Sequence, residues 1–152
     1  MPTRFIAFPM IVCVAAPLSS SASDKPDARL ARVRTAYVMT VDELGDDKPV
    51  AACVTERLSS QTALTVASTR DEADVILRIK AHLPMADTFA DGLKFWFVSN
   101  SATIEAQLPS GDTLWTGDAR TGRLQQPHAV PCNLADHLLA ELRQAMRNAR
   151  KR

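Results

Sequence analysis

The run Ala73-Asp74-Val75-Ile76-Leu77-Arg78-Ile79-Lys80-Ala81-His82-Leu83 limits the possible folds more than any other part of the chain. Val75, Leu77, Ile79, Ala81 and Leu83 fall on one side of an extended strand, and Ile76, Arg78, Lys80 and His82 fall on the other. Such alternation suits a sheet with one covered and one wetter face, as antiparallel sheets commonly have. This segment is expected to be the central strand, its odd-numbered side chains turned toward helices.

The first 22 residues are set apart from the fold. Met1–Arg4 is a short segment with one positive charge, Phe5–Leu18 is apolar, and Ser19-Ser20-Ser21-Ala22 is small and polar. That order is the layout of a secretory signal peptide, with cleavage expected near Ala22. The apolar run falls short of the roughly 20 residues that a membrane span needs. Met10-Ile11-Val12 before Cys13 lacks the small residues of a lipidation site. Arg4 is the one charged residue in this part, so its removal leaves 17 basic and 17 acidic residues. A neutral domain offers no electrostatic case for nucleic acid, and no second long apolar segment suggests a membrane span. A periplasmic or secreted location is expected.

The remaining chain reads as one domain, residues 33–148, after a flexible lead-in at 23–32 and before a basic tail at 149–152. A first strand is expected at Thr35–Val41. The acidic run Asp42–Asp47 then leads into a helix from Lys48 or Pro49 to Ser60, with Asp47 as N-cap. Its apolar stripe is Val50, Cys53, Val54, Arg57 and Leu58. Ala63–Ala67 suggests a short second strand and Ser68–Glu72 a turn. Pro84–Gly92 is expected to be a loop, and Leu93–Val98 has strand chemistry. Trp96, Val98, Ala102, Ile104, Ala106 and Leu108 share one parity across the polar break Ser99-Asn100-Ser101, which suits one bent strand or two collinear pieces. Pro109-Ser110-Gly111-Asp112 is a strong turn, and Thr113–Gly117 the returning strand. Ala119–Pro131 is expected to be a loop. A last helix, Cys132–Arg147, carries a wide stripe of Cys132, Ala135, Leu138, Leu139, Leu142, Ala145 and Met146, with Asn133 and Asp136 resembling a cap. The order β-α-β-β-β-β-α predicts an α+β fold: a mostly antiparallel sheet of four or five strands with both helices on one face.

Candidate chemistry is sparse. Asp71-Glu72-Ala73-Asp74 spells an ATPase box, but it precedes its strand instead of ending one, and the chain has no phosphate-binding loop. A metal would have to draw on Cys53, Cys132, His128, His137 and His82; there is no C-x-x-C pair, and both cysteines lie on apolar helical faces, so no metal and no cofactor is expected. A disulfide between Cys53 and Cys132 is favoured over two buried free thiols if the helices pack side by side. Closing a loop of about 80 residues would stabilise by on the order of 4–5 kcal/mol at best. No serine lies in G-x-S-x-G, and Asp136 and His137 are adjacent on a helix, where neighbours do not face each other. Trp96 and Trp115 suit sheet packing better than a ligand platform. Arg143, Arg147, Arg150, Lys151 and Arg152 are the one charge asymmetry. At a helix C-terminus they relieve the dipole; alternatively they contact an anionic surface or an acidic partner.

Glu72-Ala73-Asp74-Val75-Ile76-Leu77-Arg78, then Gly111-Asp112-Thr113-Leu114-Trp115-Thr116-Gly117, then an amphipathic last helix, resemble a group of bacterial envelope domains. The group includes the amino-terminal domain of TolB, the outer-membrane activators of penicillin-binding proteins, and curli-type secretion proteins. The likeness covers most of the chain after the signal segment. It implies a non-enzymatic envelope component that binds another protein through a sheet edge or through the uncovered face with Arg78, Lys80 and His82. The alternative is a small secreted hydrolase or ligand-binding protein with a pocket under the 84–92 loop.

Overall fold

In the computed structural model, residues 25–43, 45–84, 99–121 and 128–151 are described. The expected signal segment, the strand expected at Leu93–Val98 and most of the 84–92 loop lie outside them. The regular elements are β1 (Thr35–Thr40), α1 (Asp47–Gln61), β2 (Thr65–Val66), β3 (Val75–His82), β4 (Asn100–Gln107), β5 (Thr113–Thr121) and α2 (Val130–Arg150), with 3-10 turns at Ala28–Arg32 and Arg70–Glu72. One five-stranded sheet has the order β2-β1-β3-β4-β5. This is the expected α+β domain.

The long alternating strand lies at the centre. Val75, Leu77 and Ile79 are sealed in the core with Ala102, Ile104 and Ala106 of β4 and Leu138, Leu139 and Leu142 of α2. β3, β4 and β5 run antiparallel, whereas β1 pairs in parallel with both β3 and β2. Parallel neighbours need a crossover, and α1 supplies it between β1 and β2. Both helices pack on the same face: Val50, Val54 and Leu58 from α1 join the core cluster with the α2 stripe. That stripe extends beyond expectation, to Val130, Leu134 and Ala149. Thr62 ends α1, its backbone N–H and its hydroxyl both donating to the Leu58 carbonyl, at 2.9 and 2.7 Å.

Besides the longer α2, Val130–Arg150, the larger differences from expectation lie at three boundaries. Asn100 and Ser101, read as a break, open β4, because a polar side chain does not prevent a backbone ladder. β5 continues from Gly117 through Thr121 into the expected loop. Its inward residues there are small (Gly117, Ala119, Thr121) and alternate with Asp118 and Arg120, which leaves little hydrophobic contrast. The lead-in is docked from Pro26 onward: Leu30 is fully buried, Asp27 caps the 3-10 turn, and the Asp27 N–H donates to the Leu114 carbonyl at 3.0 Å.

The two glycines of the Gly111–Gly117 motif have separate tasks. Gly111 has φ of 101°, a left-handed conformation that turns the chain between β4 and β5. At Gly117 a Cβ would lie 2.3 and 2.5 Å from two ring carbons of Trp115, so the indole lies across the glycine. A register shift at Ala106/Gln107 places Leu114 and Trp115 both in the core cluster. Trp115 is therefore core packing, as expected; Trp96 lies outside the described residues.

Candidate functional site

The acidic letters before the central strand have a structural purpose. Asp74 Oδ2 accepts from the backbone N–H groups of Arg34 and Thr35 at 2.8 and 2.9 Å. The Asp74 N–H donates to the Thr35 carbonyl and hydroxyl at 3.1 and 3.0 Å. The two backbone hydrogen bonds hold the Asp74 carboxyl below the ordinary aspartate range. Through Asp74 the motif ties the start of β3 to the start of β1.

At the opposite end of the same strands, Asp47 does a related job. It is 2 % exposed. Its Oδ2 accepts from the N–H groups of Val41 (3.1 Å) and Asp42 (2.7 Å), and its Oδ1 from that of Ala81 (2.6 Å). Asp46 Oδ2 accepts from the Leu83 N–H at 2.6 Å. Asp47 is thus not the N-cap of α1; it is the first helical residue, after Asp46, and its side chain turns back into the junction of β1 and β3. Val41, Asp42, Gly45, Asp46, Asp47, Lys80, Ala81 and His82 line a cleft of about 320 Å³ there. It lies outside the carboxyl ends of two parallel strands, where open sheets often bind ligands.

The expected partner residues lie on the sheet face turned away from the helices. Arg78 is flanked by Met39 of β1 and Glu105 of β4. Its guanidinium is 3.6 Å from the Glu105 carboxylate, which also accepts from the Thr113 hydroxyl at 2.7 Å. Burial pushes the Glu105 carboxyl up, but hydrogen bonds from Thr113 and Gln107 and the Arg78 charge outweigh it, and the net shift is downward. Lys80, opposite Thr103, and His82, opposite Ser101, are exposed where this face meets the cleft. The strand register thus gathers Arg78, Lys80 and His82 in one row, with Arg78 already engaged by Glu105.

The helix pair holds the cysteines. Cys53 and Cys132 form a disulfide, with Cα atoms 5.1 Å apart. Neither is therefore available to a metal, and no cluster of three or more metal-ligating side chains occurs among the described residues. Asp136 is not a cap residue: it pairs with Arg57 of α1 and accepts from the Gln61 amide at 2.6 Å, while α2 begins without a side-chain cap. Burial raises the Asp136 carboxyl and the Arg57 and Gln61 hydrogen bonds lower it, the latter prevailing. Sequence spacing puts Arg57 on the buried stripe of α1, and its partner four residues after Cys132 is the missing half of that signal.

Arg143, Arg147, Arg150 and Lys151 are exposed along the last turns of α2, and Arg152 lies outside the described residues. Together with Ala63 and Met146, the three arginines line a small pocket of about 60 Å³. No described helix is long and apolar enough to cross a membrane.

No family model matches the chain, and no curated protein does. Among solved structures it is similar to a dodecamer of PelC from Paraburkholderia phytofirmans, in a form bearing a leucine-to-methionine substitution: 18% identity, TM-score 0.52, 72% of this chain and 87% of that one. A DUF4136 family protein from Bacteroides thetaiotaomicron matches at 14% identity, TM-score 0.46, over 82% and 94% of the two chains. An uncharacterized lipoprotein B from Nitrosomonas europaea matches at 10% identity, TM-score 0.34, over 96% and 88%. At these identities the likeness to PelC establishes the fold alone. The TolB, penicillin-binding-protein activator or curli-secretion type expected from the motifs finds no support among these three.

Proposed function

We propose that the protein is a non-enzymatic component of the bacterial envelope that binds another protein chain through the sheet face turned away from its helices. The observation that carries this reading is the one-sided architecture. Both helices cover one face, and the other presents Lys80, His82, Thr103, Thr116, Asp118 and Arg120 to solvent as a mixed-charge surface. Such a surface suits specific docking, where opposed charges select the partner more than they tighten it. The Cys53–Cys132 bridge agrees with an oxidising compartment outside the cytosol. The PelC of similar fold is a dodecamer, which makes a second copy of this chain the first partner to test.

The test is a photo-crosslinking side chain at Lys80 or Arg120 in the native envelope, alongside sedimentation of the purified protein. A discrete cross-linked species, lost in a Thr103→Glu/Asp118→Lys double variant, is the expected result. Sedimentation as a monomer together with no cross-link from either position would overturn the reading.

A second reading, a small hydrolase or ligand-binding protein, draws on the cleft that gathers His82 with Asp42, Asp46 and Asp47. It ranks behind because Asp46 and Asp47 are engaged by backbone N–H groups. A hydrolytic activity abolished by His82→Ala, with no cross-link at Lys80, would invert the order.

A further inference from the structure

We propose that the small pocket on the C-terminal half of α2 is a binding site for a phosphoryl oxyanion, with Arg143, Arg147 and Arg150 as its ligands. Their spacing of four and three residues puts all three on one side of the helix. Across from them stands Ala63, in the short connection between α1 and β2, and Met146 (3% exposed) completes the lining. The site is thus lined by two apolar side chains and three arginines. No carboxylate lines it, and no ion pair among the described residues engages any of the three arginines. Arg147 donates to the Gln144 side-chain oxygen on its own helix, a contact that orients the guanidinium and leaves its charge unmatched.

The helix dipole accounts for Arg147 and Arg150, in the last turn, but not for Arg143. Its influence is confined to the last turn, and Arg143 stands seven residues before the end of α2 at Arg150, nearly two turns in. Solubility would be served equally by lysine. Three arginines around one recess instead match the geometry of phosphate, which a guanidinium holds by two parallel N–H···O bonds. The pocket volume, about 60 Å³, suits a single oxyanion group and excludes a folded ligand. The phosphoryl group has two possible sources, a free phosphate species or the headgroup of an anionic phospholipid. In the second case α2 would lie against the membrane surface, with Lys151 adding to the attraction.

The experiment titrates the purified protein with inorganic phosphate, following arginine side-chain NMR signals, and separately measures co-sedimentation with vesicles of phosphatidylglycerol and phosphatidylcholine against phosphatidylcholine alone. Saturable shifts at Arg143, Arg147 and Arg150 identify a free-anion site; binding confined to the anionic vesicles identifies the headgroup. In either arm, Arg143→Gln/Arg147→Gln/Arg150→Gln is expected to weaken binding by about fivefold per arginine removed, and Arg143→Lys/Arg147→Lys/Arg150→Lys to recover only part of it. Lys48→Gln, at the other end of α1, is expected to change nothing. No binding in either arm, or binding that the triple glutamine variant retains, would overturn the proposal. All these side chains are exposed, so an unchanged circular dichroism spectrum is the check that the variants fold.

Discussion

Asp47 and Gly117 show how single residues hold this fold. Asp47 gathers three backbone N–H groups from two segments, so Asp47→Ala deprives the Asp42 and Ala81 N–H groups of their acceptor, while the Val41 N–H keeps the Ile79 carbonyl. A loss of about 2–4 kcal/mol is expected, read from urea denaturation, and Asp47→Asn should recover part of it. Gly117→Ala drives a methyl group into the Trp115 ring. Overpacking of this kind costs roughly 1–3 kcal/mol, and here it should also change the near-ultraviolet circular dichroism of the indole. Asp136 makes a pH prediction. Its folded-state pKa is depressed, so its contacts stabilise the protein above roughly pH 4 and that contribution is lost as pH falls through the lower folded value. Asp136→Asn should therefore lose less melting temperature between pH 6 and pH 3 than the parent protein.

Among the elements, β3 and α2 are the most legible, because their buried faces are branched or leucine-rich and contrast sharply with charged neighbours. The disulfide is also readable once both cysteines fall on the inner stripes of helices sharing a sheet face. Two features are not. The strand expected within Ala63–Ala67 forms as β2, Thr65–Val66, but its parallel pairing with β1 leaves no mark in a local pattern. Asp47 carries the chemistry of a cap, and only the distant Ala81 N–H reveals that it faces inward. The row Arg78, Lys80 and His82 follows from period-two alternation alone, whereas the partnership of Arg78 with Glu105 requires the register between β3 and β4.

For the whole molecule, the Cys53–Cys132 bridge encloses everything from the second turn of α1 to the first turn of α2, a separation of 79 residues. Cys53→Ala/Cys132→Ala should lower stability by about 2–4 kcal/mol, measured by chemical denaturation, with the Arg57–Asp136 pair still linking the helices. The two edges of the sheet are unequal in a way that also matters. β2 presents a two-residue edge, while β5 presents nine residues, one end of which is met by the Asp27–Leu114 hydrogen bond. Long uncovered strand edges recruit other strands. The docked lead-in meets the Leu114 end of this edge, and a truncation starting at Arg34 would remove it together with the buried Leu30. Such a shortened protein should accumulate light-scattering assemblies on standing at concentrations where the longer chain stays clear.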